Sequence, residues 1–165
     1  MSGRQKIEGF TLFELMVTIA VAAVIVSFGV PGFQSLVANS RAATYSNDLV
    51  TALNLGRSEA TRRGVAVELC SSTDGATCSG SNDWSTGWIV HRPGGQLIRT
   101  WPARSGGAGV LTANVSQIQF QSRGALNGGA APVLQVRLPD CTGSQGRNVA
   151  VNVAGRISVT RASCP

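Results

Sequence analysis

The sequence predicts an α+β chain: one long N-terminal helix followed by an antiparallel β-sheet. Three observations carry this. Residues 10–30 form an apolar run broken by one charge, Glu14. Beyond Pro31, apolar residues recur every three or four positions as far as Ala60, the spacing of one helical face. After Gly64 the pattern changes to alternation, and the short apolar runs are separated by clusters of Gly, Ser and Asn.

The chain starts with MSGRQKIEG, a polar and basic segment. The 21 residues that follow make roughly 32 Å of helix at about 1.5 Å each, enough to cross a bilayer's hydrocarbon core. Arg4 and Lys6 would hold the N-terminus in the cytoplasm and send the rest outward. A cleaved signal peptide would have a shorter apolar core and a small-residue cleavage site after it. A plain signal anchor fits the hydropathy but leaves Glu14 unexplained, because a carboxylate in a membrane helix is costly and is normally matched by a partner.

The helical stripe continues through Phe33, Leu36, Val37 and Ser40, then through Leu49, Ala52, Leu53, Gly56 and Ala60. The other face carries Arg41, Asn47, Asp48, Arg57 and Arg62. Arg62 and Arg63 suit a helix C-terminus, with Gly64 as its cap. Expected strands are Val65–Cys70, Gly87–Arg92, Gln96–Trp101, Ile118–Gln121, Leu134–Leu138, Val149–Val153 and Arg156–Thr160. Ala154-Gly155 reads as a tight turn between the last two.

At 165 residues there is room for one compact domain plus an extended element. Charged residues make up only 13% and Gly reaches 20. Of the 14 basic residues only Lys6 is a lysine, and without residues 1–9 the net charge falls from +6 to +5. Arginine presents a planar fork suited to carboxylates and phosphates, so nucleic acid, anionic lipid and acidic subunits are the partner classes to weigh.

Cys70, Cys78, Cys141 and Cys164 include no CxxC, and His91, the single histidine, cannot complete a zinc set of usual spacing. No metal or cofactor is expected from these patterns. An even count behind an export segment favours two disulfides and an oxidising compartment. Three pairings are open. The sequential one, Cys70–Cys78 and Cys141–Cys164, is favoured because each pair then closes a polar, turn-rich segment. The shorter loop contributes roughly 2–3 kcal/mol and the longer about 3–4 kcal/mol.

No catalytic constellation is present in the sequence. There is no G-x-S-x-G elbow, P-loop or EF-hand. Asp74, Asp83 and Asp140 lie among Gly and Ser, where turn roles are the default. An enzyme is therefore not expected.

Gly9-Phe10-Thr11-Leu12-Phe13-Glu14-Leu15 resembles the signature of type IV prepilins, with Phe13 where the family more often has an aliphatic residue. The resemblance implies the type IV pilin fold, cleavage by a prepilin peptidase between Gly9 and Phe10, and methylation of the new Phe10 amine. It assigns Glu14 to pair with the N-terminal amine of a neighbouring subunit, and Pro31 to a kink in the helix. Each buried charge would compensate the other, and losing either would strand its partner at a cost of several kcal/mol. The implied organisation is a leader at 1–9, a transmembrane and filament-core helix at 10–33, and a periplasmic head at 34–165. The head would comprise an amphipathic helix at 34–63 and a β-sheet at 65–165.

The stretch RSEATRRG, the Cys70–Cys78 region, Asp83-Trp84-Ser85-Thr86-Gly87-Trp88 and GRNVAVNVAGRISVTRASC resemble the GspH/FimT group of minor pilins and pseudopilins. The cysteines bring the chain nearer to FimT/FimU-type minor pilins than to type II secretion pseudopilins. The implied role is a structural subunit that primes or caps a type IV pilus. Its partners would be other minor and major pilins, the prepilin peptidase and the inner membrane, with the pilus at the cell surface as its destination. A pseudopilin of a type II secretion system is one alternative. A DNA-binding minor pilin for natural transformation is another, with Arg137, Arg147, Arg156 and Arg161 as candidate phosphate contacts. Some FimT-type pilins carry a basic Gly-Arg-x-Arg motif, and here the corresponding stretch is Gly155-Arg156-Ile157-Ser158. Trp84, Trp88 and Trp101 are expected in the core or at a subunit interface rather than as base-stacking platforms.

Overall fold

The structure is a computed structural model that describes residues 10–103, 110–129, 131–139 and 141–164. The expected leader, with Gly9, and the loop acid Asp140 lie outside the described residues. The chain divides into two units, Met1–Leu36 and Val37–Pro165. One helix, α1 (Leu12–Arg63), contributes to both.

In the first unit α1 starts at a Thr11 cap. Thr11 Oγ1 accepts a hydrogen bond from the Glu14 amide at 3.2 Å, and the Leu15 amide donates to the Thr11 carbonyl at 3.1 Å. This is half of a capping box, with Glu14 in the first turn where a carboxylate favours the helix dipole. The backbone is helical at Pro31. Where side chains are described, from Phe10 to Ser27 and from Gly32 to Leu36, every residue is exposed, large apolar ones included.

In the second unit the same helix buries one stripe: Ala38, Ala42, Tyr45, Ser46, Leu49, Ala52, Leu53, Gly56 and Ala60. From Leu49 onward this stripe runs through the positions that the periodicity marks. Before Leu49 it runs through Ala38, Ala42 and Tyr45, and the expected Ser40 is exposed. Small residues on the buried face allow close packing there. Gly56 is the tightest point, since a Cβ would lie 2.3 Å from Leu69 Cδ1 and 3.5 Å from Phe120 Cδ2. The helix ends at Arg63, and Gly64 takes the left-handed conformation (φ 67°) of a C-cap. Arg62 and Arg63 both turn back to Glu59 at 2.5 Å. These contacts hold the Glu59 carboxyl below its usual range.

Among the described residues eight strands follow: β1 (Val67–Ser71), β2 (Gly87–His91), β3 (Leu97–Pro102), β4 (Val110–Ala113), β5 (Gln117–Phe120), β6 (Val133–Arg137), β7 (Gly146–Val151) and β8 (Ile157–Ala162). They form two antiparallel sheets, ordered β3-β2-β1-β5 and β4-β6-β7-β8. The sequence predicts seven strands; β4 is the addition, because its four residues, between Gly-rich and Asn-Val-Ser segments, show too little alternation to mark a strand. Alternate residues of both sheets reach the core with the helical stripe, among them Leu69, Trp88, Phe120, Leu134, Val136 and Val149.

The β7–β8 hairpin turns over Asn152–Arg156. The Asn152 amide donates to the Arg156 carbonyl at 3.0 Å, and the Gly155 amide donates to the Asn152 carbonyl at 2.8 Å. Gly155 has φ 78°, so this is a turn closed by a left-handed glycine. Its Cα approaches the Gly124 carbonyl so closely that a Cβ would lie 2.0 Å away. Arg57 fastens both loops, donating to the carbonyls of Gly124 (3.2 Å) and Ala154 (3.3 Å).

Candidate functional site

The assembly residues of the sequence reading fall in the first unit. Phe10 and Glu14 are exposed, and among the described residues no cation pairs with the Glu14 carboxylate. The surrounding surface is apolar, with Phe10, Leu12, Phe13, Leu15 and Met16 all more than half exposed. A surface of this kind needs a non-aqueous environment or partner helices. The helix is long and apolar enough to cross a membrane. A carboxylate in so apolar a surface is costly unless a cation accompanies it. Thr11, which the sequence presents only as part of the N-terminal signature, supplies the cap that fixes the first turn.

The four candidate arginines do not form one patch. Arg147 is buried. Its Nη1 donates to the carbonyls of Ser144 (3.4 Å), Gln145 (2.8 Å) and Gly146 (2.9 Å), and its Nη2 to Asn39 Oδ1 at 2.5 Å. Burial lowers its pKa, and the charge of Arg161 adds to this, yet a guanidinium remains protonated. Arg137 Nη1 donates to the carbonyls of Val136 (3.0 Å) and Arg147 (2.9 Å), and its Nη2 to Asn148 Oδ1 at 3.0 Å. These two guanidinium groups hold β6, β7 and α1 together.

Arg156 and Arg161 are exposed. Arg161 lies directly opposite Arg147 in the β7–β8 ladder. Arg156 precedes the strand, about 17 Å away at roughly 3.3 Å per residue, and has the opposite parity. The three tryptophans are buried, at 1%, 2% and 8% exposure for Trp84, Trp88 and Trp101, so none of the three offers an open stacking face to a base. Trp88 and Trp101 stack with centroids 6.3 Å apart, and Arg99 lies 4.7 Å over the Trp101 ring.

Disulfides join Cys70 to Cys78 and Cys141 to Cys164, with Cα separations of 5.5 and 5.6 Å. The first tethers the loop after β1, and the second joins the segment after β6 to the end of β8. Asp74 organises the first loop. Its carboxylate accepts from the amides of Ala76 and Thr77 at 2.8 Å each, from Thr77 Oγ1 at 2.7 Å and from Ser72 Oγ at 3.0 Å. These bonds favour the charged form and hold its carboxyl well below the usual carboxylate range. Asp83 caps Ser85 in the same way. Asn114 bridges two backbone groups, donating to the Ala131 carbonyl and accepting from the Val133 amide.

Comparison with known proteins fits this geometry. The family described as Type II transport protein GspH matches residues 46–155, and the prokaryotic N-terminal methylation motif matches residues 4–30. No curated protein matches the chain. Two crystal forms of the type IV minor pilin FimU of Pseudomonas aeruginosa share the fold. One aligns with TM-score 0.62 at 18% identity, covering 76% of this chain and 96% of that one. The other aligns with TM-score 0.56 at 20% identity, covering 74% and 99%. The GspH match spans more than half of the chain and the methylation motif accounts for its N-terminus, so this protein belongs to the GspH family of type IV pilin-like proteins.

Proposed function

We propose that this chain is a minor pilin that primes or caps a type IV pilus together with other minor pilins. A prepilin peptidase cuts between Gly9 and Phe10, and the Phe10 amine is methylated. Residues 10–33 then hold the protein in the inner membrane, with the head, 34–165, in the periplasm. Lateral helix contacts recruit it to the minor-pilin complex and, through that complex, to the major subunits. The supporting observation is the exposed apolar helix with one carboxylate, Glu14, that has no cation among the described residues. A neighbouring subunit's N-terminal amine is a cation of the right charge and place. The likeness to a minor pilin supports the pilus as the destination.

The test is Glu14→Gln in the full-length protein, reading its share in sheared filaments. A stranded buried charge costs about 3–5 kcal/mol, so incorporation should fall by about 100-fold or more, while the head melts as before. Undiminished incorporation would reduce the helix to a simple anchor.

A second reading, a pseudopilin of a type II secretion system, is favoured by the description of the matched family. Cross-linking from a photoreactive residue at Leu36 separates the two, since it captures either pilus subunits or secretion pseudopilins. Of the four candidate arginines, DNA binding could draw on Arg156 and Arg161 without releasing guanidinium bonds of Arg137 and Arg147.

A further inference from the structure

We propose that reduction of the Cys70–Cys78 bond opens a site for a thiophilic divalent cation, zinc(II) above all, held by both thiolates and His91 Nε2. In sequence, Cys70, Cys78 and His91 have no zinc-like spacing. The sheet brings them together. Cys70 on β1 pairs with Ile89 on β2, and Glu68 pairs with His91, so Cys70, His91 and Glu68 share one face. The loop after β1 returns Cys78 to that face, and one ligand atom from each of Cys70, Cys78 and His91 lies within 4.8 Å of the others.

His91 is oriented as a ligand. Its Nδ1 lies 2.9 Å from the Arg92 carbonyl, which can only accept, so Nδ1 carries the proton. In the neutral ring the Nε2 lone pair is then free, and Nε2 lies 3.7 Å from Cys70 Sγ and 3.1 Å from Cys78 Sγ. Metal-bound histidines commonly donate their other nitrogen to a backbone carbonyl in this way. Tetrahedral zinc, with bonds of about 2.3 Å to sulfur and 2.0 Å to nitrogen, sets S···N edges of about 3.5 Å and S···S edges of about 3.8 Å. The S···N distances already bracket the first value, and breaking the bond lets the sulfurs separate towards the second.

The loop is also held independently of the disulfide. The Ser79 amide donates to the Ser71 carbonyl at 2.8 Å, the Ser71 and Ser79 hydroxyls lie 2.7 Å apart, and Thr100 Oγ1 donates to the Gly75 carbonyl at 2.8 Å. Cys78 therefore stays beside Cys70 and His91 once the bond opens. Cys78 is exposed and provides the entry side, while Cys70 is buried. Two thiolates neutralise the cation, Glu68 adds negative charge on the same face, and water takes the fourth position.

The reductant is a dithiol. It supplies two electrons and two protons, closes to its own disulfide and leaves two cysteine thiols. Metal binding then displaces those two protons, and the imidazole contributes its lone pair without losing one.

The test uses the full chain in detergent, reduced with a dithiol, desalted under nitrogen and titrated with cobalt(II). The expected result is tetrahedral d–d bands with thiolate-to-cobalt charge transfer, saturating at one ion per chain and abolished by zinc(II). The oxidised chain and the reduced Cys70→Ser/Cys78→Ser variant should give none. His91→Ala should bind at least ~10-fold more weakly with an altered spectrum. Three results would overturn the proposal: no bands in the reduced chain, whether or not it stays folded; equal affinity and spectrum in His91→Ala; or bands that persist without Cys70 and Cys78.

Discussion

The apolar residues in the two halves of α1 are of similar kinds and meet opposite fates. From Leu12 to Leu36 the described side chains are exposed on every side of the helix. From Val37 to Arg63, the leucines and alanines of the stripe are buried at 0–6% exposure, Leu49 and Leu53 among them. The chain's own sheets account for the second half. The first half carries apolar side chains all round, and in the proposed function lipid or other helices cover them. An apolar helix therefore reports burial without saying by what. Only the stripe's width distinguishes the cases: a one-sided stripe belongs to a fold, and an all-round one to a surrounding medium.

Paired truncations sharpen that contrast most. Leu53→Ala should destabilise the head by about 2–5 kcal/mol, whereas Leu12→Ala should change it by less than about 0.5 kcal/mol. Chemical denaturation followed by tryptophan fluorescence reads both, and a Leu12 effect near that of Leu53 would erase the distinction. Gly155→Ala comes next. It forces a side chain into a left-handed turn and against the Gly124 carbonyl, which should cost about 2–3 kcal/mol, read as a lower melting temperature of the β7–β8 region by hydrogen exchange.

The smallest effect concerns Asp74. Its folded-state pKa lies below its ordinary value, so its contribution is present above the usual carboxylate range. It is lost as pH falls through that range towards the folded value. Asp74→Asn should flatten this part of the acid limb of melting temperature against pH and leave the neutral and basic limbs parallel to wild type. An unchanged acid limb would remove Asp74 as the organiser of its loop.

The sequence made the helical regions most legible. Apolar spacing gave the stripe from Leu49 to Ala60, and Gly64 after two arginines marked the helix end, because local periodicity and capping chemistry are written in neighbouring residues. Strand β4 and the split into two sheets were not legible, since pairing partners far apart in the chain decide both. The same holds for side chains that act at long range. Arg57 reads as a solvated helix-face residue, but Gly124 and Ala154 draw its guanidinium inward. Arg147 reads as one of four available cations, but Asn39, more than a hundred positions away, completes its burial. His91 is excluded from a zinc set by spacing alone, yet the β1–β2 register sets it beside two sulfurs.

The most direct test of the account is the thermal unfolding of residues 37–165, exported and oxidised, beside the full chain in detergent. If the first half of α1 serves partners outside the chain, the truncated head should unfold in one cooperative transition within a few degrees of the full-length head. It should also be absent from sheared filaments. A truncated head that fails to fold, or melts far below the full chain, would contradict the account and make the exposed helix part of the head's own stability.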